Sequence, residues 1–357
     1  MSKIRVGVFF GGRSSEHEIS IKSAESIVKS LDKSKYDVSL VGADRDGRFH
    51  FGEKAISLNM SSASEMIKNL KEEKILPVLR NIWLPEKFDV VFPVFHGTFG
   101  EDGTIQGLLR LFDVPFVGAG VLGSAIGMDK DVTKRLLRDA GILTARHLTF
   151  YRHERNNITF EEAVSTLGDV LFIKPANLGS SVGVNKVKSK DDFIKAVEEA
   201  FQYDNKIIIE EFVEGREVEC SVLGNECPKA SVPGEIIVKR DFYSYSAKYL
   251  DEDGADLKIP ADFPSEVSEQ IRAIAVKAFK VLCCEGMARV DFFVKKDFAI
   301  FLNEINTIPG FTEKISMYPK LWAASGVSYS ELLDELIALA ISRHERDKKL
   351  SNRFKDA

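Results

Sequence analysis

Short apolar runs and helix-like stretches alternate along the first 120 residues. Residues 4–10, 37–42, 88–95 and 115–118 read as strands, and residues 17–31 and 103–112 as helices. Strands that alternate with helices imply a mainly parallel sheet, so this part of the chain is predicted to be a Rossmann-like domain. Residues 53–75 are polar with a helical tendency and carry no motif.

The pattern then changes. Residues 128–141 read as a helix ended by a glycine, 144–150 as extended chain and 160–167 as a helix. A strand–loop–strand over 170–187, a helix over 191–202 and a strand over 206–213 complete a small α+β unit. From Val218 onward the strands are longer, with one long helix at 264–283, an acidic hairpin and a closing helix at 328–346. Three domains are expected: 1–120, 121–213 and 214–357. The segment from Arg343 to Ala357 is dense in charge, and its Arg343-His-Glu-Arg346 start reads as a solvated helix face that frays toward the end.

A length of 357 residues exceeds the usual size of one hydrophobic core. Apolar residues at 44% and charged residues at 29% describe a soluble globular chain, and a net charge of -5 argues against nucleic-acid binding. No stretch approaches the roughly 20 apolar residues of a membrane-spanning helix, so no membrane insertion is expected. The start of the chain has too short an apolar run for a signal peptide and reads as a first strand. Cysteines at 220, 227, 283 and 284 have neither metal-ligand nor disulfide-framework spacing, and six scattered histidines contain no H-E-x-x-H pair. Reduced thiols in a cytoplasm are expected, and zinc chemistry is not.

Candidate chemistry concentrates near the C-terminus. Met287–Val294 and Phe301–Phe311 read as two strands joined by a tight polar connection, the mark of a hairpin. With a loop of two or four residues, 289 falls opposite 304 and 291 opposite 302. Side chains alternate faces with period two, so Arg289, Asp291, Leu302, Glu304 and Asn306 would share one face. Two carboxylates and a carboxamide are an oxygen-only ligand set suited to a hard cation such as Mg²⁺ or Mn²⁺. A plain solvated sheet face is the alternative, weakened by the Pro309-Gly310 turn, where free backbone N–H groups could face an anion.

Three glycine-rich loops add to this. Lys174-Pro-Ala-Asn-Leu-Gly-Ser180-Ser181-Val-Gly183 ends a strand in a lysine and continues into a turn whose N–H groups could approach phosphate oxygens. Gly11-Gly-Arg-Ser-Ser-Glu16 links a strand to a helix, and His96-Gly-Thr-Phe-Gly-Glu-Asp-Gly103 repeats the arrangement, which suggests a shared crevice. The chain lacks the P-loop pattern. Gly118-Ala-Gly-Val-Leu-Gly123 fits G-x-G-x-x-G, but a short strand and a neighbouring domain boundary make a poor dinucleotide context. Glu210 and Glu217, at and beyond a strand end, could accept from an adenine amino group or ribose hydroxyls. The aromatic stretch from Asp241 to Tyr249 has the character of a lid loop.

Taken together, these motifs resemble the ATP-grasp superfamily and, within it, the D-alanine–D-alanine ligases. Gly11–Ser20, His96–Gly103, Met128–Lys130, Lys174–Gly183, Tyr243–Tyr249, Arg289–Asp291 and Asn303–Thr312 occur in the family's order and span residues 4 to about 335. The resemblance implies an α/β fold of three domains, with ATP held between two sheets. It places Lys130 and Lys174 on phosphates, Lys248 on the transferring phosphate or the substrate carboxylate, Glu210 on the adenine amino group and Glu217 on the ribose. Asp291, Glu304 and Asn306 would hold two Mg²⁺ (or Mn²⁺) ions.

By the same resemblance, Glu16 pairs with the ammonium of the first D-alanine and shares a hydrogen-bonded network with Ser180 and Tyr249. Arg289 and the N–H of Gly310 would stabilise the tetrahedral oxyanion. His96, Ser181 and Ser316 are assigned to substrate binding, Ser316 on the second substrate's carboxylate. Lys248-Tyr249 favours a dipeptide over a D-alanyl-D-lactate product, and the family suggests a homodimer. Another ATP-grasp ligase and a non-catalytic nucleotide-binding regulator are the alternatives. A regulator has no need for the transition-state donors.

Overall fold

A computed structural model of the chain describes residues 2–52, 88–238 and 255–351. The polar stretch at 53–75 and the lid loop, with Lys248 and Tyr249, lie outside the described residues.

The N-terminal sheet has the order β3-β2-β1-β4, with β1 Ile4–Gly11, β2 Tyr36–Ala43, β3 Phe49–Gly52 and β4 Val90–Pro93. β1 runs parallel to both β2 and β4, and β3 adds an antiparallel edge. Helix α1, His17–Ser30, follows β1, and α2, Thr104–Leu111, follows β4. The expected strand at 115–118 reduces to one parallel bridge between Val91 and Phe116.

The helix expected over 128–141 forms as α4, Lys130–Asp139, and a further helix, α3 Val121–Met128, precedes it. Asp129 separates them: its backbone is extended and its side chain accepts from the N–H of Val132, capping α4. A second, antiparallel sheet then forms in the order β5-β8-β6-β7 from β5 His147–Tyr151, β6 Leu171–Pro175, β7 Asn185–Val187 and β8 Lys206–Glu211. Helices α5 Phe160–Leu167 and α6 Lys190–Tyr203 cover one of its faces through Ala163, Phe193, Ala196 and Ala200.

The third sheet runs β12-β11-β9-β13-β14. Its strands are β9 Arg216–Gly224, a short β10 Lys229–Ala230 beside it, β11 Gly234–Val238, β12 Ala255–Lys258, β13 Gly286–Val294 and β14 Ile300–Asn306. Val218, Cys220 and Val222 of β9 and Ala288, Val290 and Phe292 of β13 pack with α7, Ser265–Val281. The alternate residues face the other way and include Glu217, Glu219, Ser221, Arg289 and Asp291.

Two helices close the chain, α8 Met317–Ala324 and α9 Tyr329–Asp347, the latter opened by a Ser328–Glu331 capping box. Leu332, Leu333, Leu336 and Ile337 of α9 share a core with Val6, Val8 and Phe10 of β1 and Ile21 and Ile27 of α1. The start of the charged tail is therefore not the solvated face expected from its composition. Arg343 is buried, donates to the carbonyls of Gly118 at 2.5 Å and Phe116 at 2.7 Å, and stacks on the Phe116 ring at 4.6 Å. Residues 115–118 make too little sheet to satisfy their own carbonyls, and the guanidinium supplies the missing donors.

Candidate active site

The acidic hairpin forms, but in a different register from the expected one. Arg289 lies opposite Asn306 and Asp291 opposite Glu304, after which the ladder shifts so that Phe292 faces Leu302. Asn303 is the extra residue of a β-bulge. The connection beyond Val294 and Ile300 is residues 295–299, closed by an N–H of Lys295 on the carbonyl of Ala299 at 3.0 Å. The bulge reverses the strand's alternation. Leu302, expected beside the acids, is fully buried on the opposite face with Val290 and Phe292, whereas Asn303 and Glu304 both line a cleft.

Arg289 neutralises much of this face. Its guanidinium donates to both oxygens of Asp291, at 2.8 and 2.7 Å, and its Nε lies 2.9 Å from Glu219. Asn306 donates to Asp291 Oδ2 at 3.0 Å. Glu219 sits opposite Asp291 on β9, so Glu219, Asp291 and Glu304 form one cross-strand row. Sequence reasoning missed Glu219, although the alternation of Glu217, Glu219 and Ser221 with buried Val218, Cys220 and Val222 carries the signal.

The cleft, of about 290 Å³, runs between the second and third sheets. Lys130, Lys174, Ser180 and Glu210 line one wall, and Glu217, Phe293 and Glu304 the other. Lys130 donates to the carbonyl of Leu178 at 2.5 Å and approaches Glu304 to 4.0 Å across the cleft. Glu210 is held between two ammonium groups, Lys174 at 2.5 Å and Lys134 at 2.7 Å. Burial pushes its carboxyl up, but the two lysines override burial and hold it at about 2. Lys134 is a second missed residue. It lies one turn after Lys130 on α4, spacing that places both on one face.

Ser180 and Ser181 have left-handed backbones, with φ of 54° and 58°, where glycine is the usual residue. Both line the cleft, and the Ser180 hydroxyl donates to Glu16. That bond joins the loop of the second sheet to the first glycine loop. Glycine suits position 97, where φ is 75° and a Cβ would lie 2.7 Å from both Glu16 Oε2 and Ser14 Oγ.

His96 stands behind Glu16. It contacts Ser23 Oγ at 3.1 Å and the Ile308 carbonyl at 3.0 Å, with Glu101 3.6 Å away. Ser23 also accepts from the N–H of Phe311 at 3.2 Å, so α1 pins the Pro309-Gly310 turn. Ser316 accepts from the N–H of Thr312 at 3.0 Å, and a Cβ on Gly310 would come within 2.8 Å of its hydroxyl. The structure thus brings together Glu16, Ser180, Ser181, Lys130, Lys174, Glu210, Glu217 and Glu304 around one cleft, with Arg289, Asp291 and Asn306 on the adjoining sheet face. His96, Gly310 and Ser316 gather at the turn.

Burial pushes the Glu101 carboxyl up to about 7, with His96 opposing and Glu16 adding to the rise. Burial disfavours the His96 cation, but Glu101 and Glu16 raise its pKa above the ordinary value. Both groups bind a proton more tightly folded than unfolded, so their contribution to stability is present at low pH and lost as pH rises through about 7. Thermal midpoints should fall from pH 5.5 to 8.5 more steeply in the native chain than in Glu101→Gln. Parallel curves would rule this pair out as the titrating element.

Two sheets closing on a lysine-lined cleft, with an oxygen-rich hairpin at its edge, define a ligase of the ATP-grasp class. Comparison with known proteins narrows this. Residues 5–119 match the model of the D-ala D-ala ligase N-terminus and residues 136–338 that of the D-ala D-ala ligase C-terminus. The chain is 53% identical to the D-alanine–D-alanine ligase of Shouchella clausii over 99% of this chain and 98% of that protein. The solved D-alanine–D-alanine ligase of Coxiella burnetii superposes with a TM-score of 0.85 at 40% identity, covering 98% of this chain and 97% of that one. The Bacillus anthracis ligase, solved in complex with ATP, gives 0.74 at 28% identity over 96% of this chain and 99% of that one. The chain belongs to the D-alanine–D-alanine ligase family.

Proposed function

We propose that this chain joins two D-alanines into D-alanyl-D-alanine at the expense of ATP, releasing ADP and phosphate for cell-wall precursor synthesis. What carries the assignment is the cleft, with Lys130, Lys174 and Glu210 on one wall and Glu304 on the other, ending at the Glu16–Ser180 bond. Lys130 and Lys174 offer ammonium groups to phosphates, Glu210 an acceptor to the adenine amino group and Glu217 one to the ribose. Glu16 receives the first D-alanine's ammonium.

Carboxylate carbon is a poor electrophile without a leaving group. The first D-alanine's carboxylate therefore attacks the γ-phosphate to form an acyl phosphate, with ADP leaving. The second D-alanine's amine then attacks that carbonyl, an amide forms and phosphate departs with its electron pair. Arg289 and the N–H of Gly310 face the oxyanion of this step, Ser316 and Ser181 orient the substrates, and His96 backs the turn and Glu16. Lys248 and Tyr249, outside the described residues, are the remaining members of the proposed set.

Asp291, Glu304 and Asn306 fit magnesium or manganese. Each side chain carries an oxygen that a hard cation accepts, and the Asn306 amide lies 3.0 Å from Asp291, which supports the reading. Two such ions, when bound, neutralise triphosphate charge. Among the described residues no helix is long and apolar enough to cross a membrane. The chain would act in the cytoplasm as a homodimer.

The test is incubation with ATP, Mg²⁺ and either D- or L-alanine, following phosphate and dipeptide. Stoichiometric release of both with D-alanine alone is expected. No phosphate with D-alanine, or equal use of L-alanine, would overturn the assignment.

A further inference from the structure

Among the described residues, Lys134 is the most deeply buried charged side chain, 1% exposed. An ammonium so far from water must be paired to be tolerated. Its partner is Glu210 Oε1, yet Glu210 is already paired through its other oxygen with Lys174. One carboxylate thus serves two cations, more than a structural ion pair requires. The two lysines differ in exposure to the ligand: Lys174 lines the cleft and Lys134 does not. Burial holds the Lys134 ammonium below its ordinary pKa, opposed by Glu210.

If the cleft takes ATP as assigned above, the arriving phosphates compete with Glu210 for Lys174. With Lys174 drawn away and no second cation, Glu210 would be a buried, unpaired carboxylate with no fixed orientation. We propose that Lys134 is a positioning residue, the standing counter-ion that holds Glu210 as an acceptor for the purine amino group while Lys174 moves to phosphate. Lys134 acts through Glu210 and touches no substrate atom. It thereby contributes to the preference for an amino-bearing purine.

Steady-state kinetics with ATP and with ITP, whose purine carries a carbonyl where ATP has the amino group, test this in wild type, Lys134→Met and Lys134→Arg. In Lys134→Met the KM for ATP rises on the order of tenfold, the scale of one charge-assisted contact, while kcat falls less. The KM for ITP moves little, so the preference for ATP narrows, and Lys134→Arg restores most of it. Equal losses with ATP and ITP, or a loss confined to kcat, would overturn the proposal and leave Lys134 a structural cation. Should Lys134→Met not fold, Lys134→Gln, which keeps a donor without the charge, is judged by the same ATP-to-ITP ratio. A wild-type enzyme that does not distinguish ATP from ITP would instead overturn the placement of adenine at Glu210.

Discussion

Asp291→Asn lowers turnover by on the order of 10³-fold, comparable to losing a preorganised transition-state donor, while the fold persists. Asparagine has nearly the same volume and keeps an oxygen for Arg289, which now contacts both Asp291 oxygens at 2.8 and 2.7 Å. What disappears is a negative charge on the hairpin face beside Glu304 and Asn306. Divalent ions that neutralise a triphosphate need anionic oxygens to hold them, and an amide is a weak substitute. The loss should be steepest at limiting Mg²⁺ and only partly recovered by excess, measured as phosphate release at saturating ATP and D-alanine. Near-native turnover at limiting Mg²⁺ would remove Asp291 from the ligand set.

Arg343→Met destabilises the chain by about 1–3 kcal/mol, the range for leaving a buried polar partner unsatisfied. Methionine fills part of the space but supplies no donor. The carbonyls of Phe116 and Gly118, now bonded at 2.7 and 2.5 Å, would be left without their donor beneath α9. The contact of the guanidinium with the Phe116 ring, 4.6 Å from its centroid, is lost as well. A denaturant midpoint clearly below that of wild type is expected. An unchanged midpoint would mean that water reaches those carbonyls.

Much of the cleft's lining was legible before the structure. Lys130, Lys174 and Glu210 do meet at one cleft, and Glu16 does bond Ser180 across 164 positions of sequence. These residues stand in or beside short glycine loops and strand ends, where local pattern and motif order carry information. Lys134, Glu219 and Arg343 were not legible as contributors. Each is an ordinary charge in an ordinary helix or strand, and its meaning comes from a partner far along the chain.

The hairpin shows where local information stops. Periodicity and composition were enough to specify two strands, their polar residues and the turn that follows, because strand alternation and turn chemistry act over a few neighbours. Register was not so determined: the bulge at Asn303 changes the partner of every residue beyond it and moves Leu302 into the core. The choice is made by burying Leu302 and Ile305 with α7 while leaving Asn303 and Glu304 to the cleft, a balance of hydrophobic burial and charge solvation that exists only once the sheets are assembled. By itself the sequence determined the elements, the glycine loops and the kinds of chemistry available. Only the tertiary structure decided which charges are buried against which, since desolvation and pairing depend on distant parts of the chain meeting.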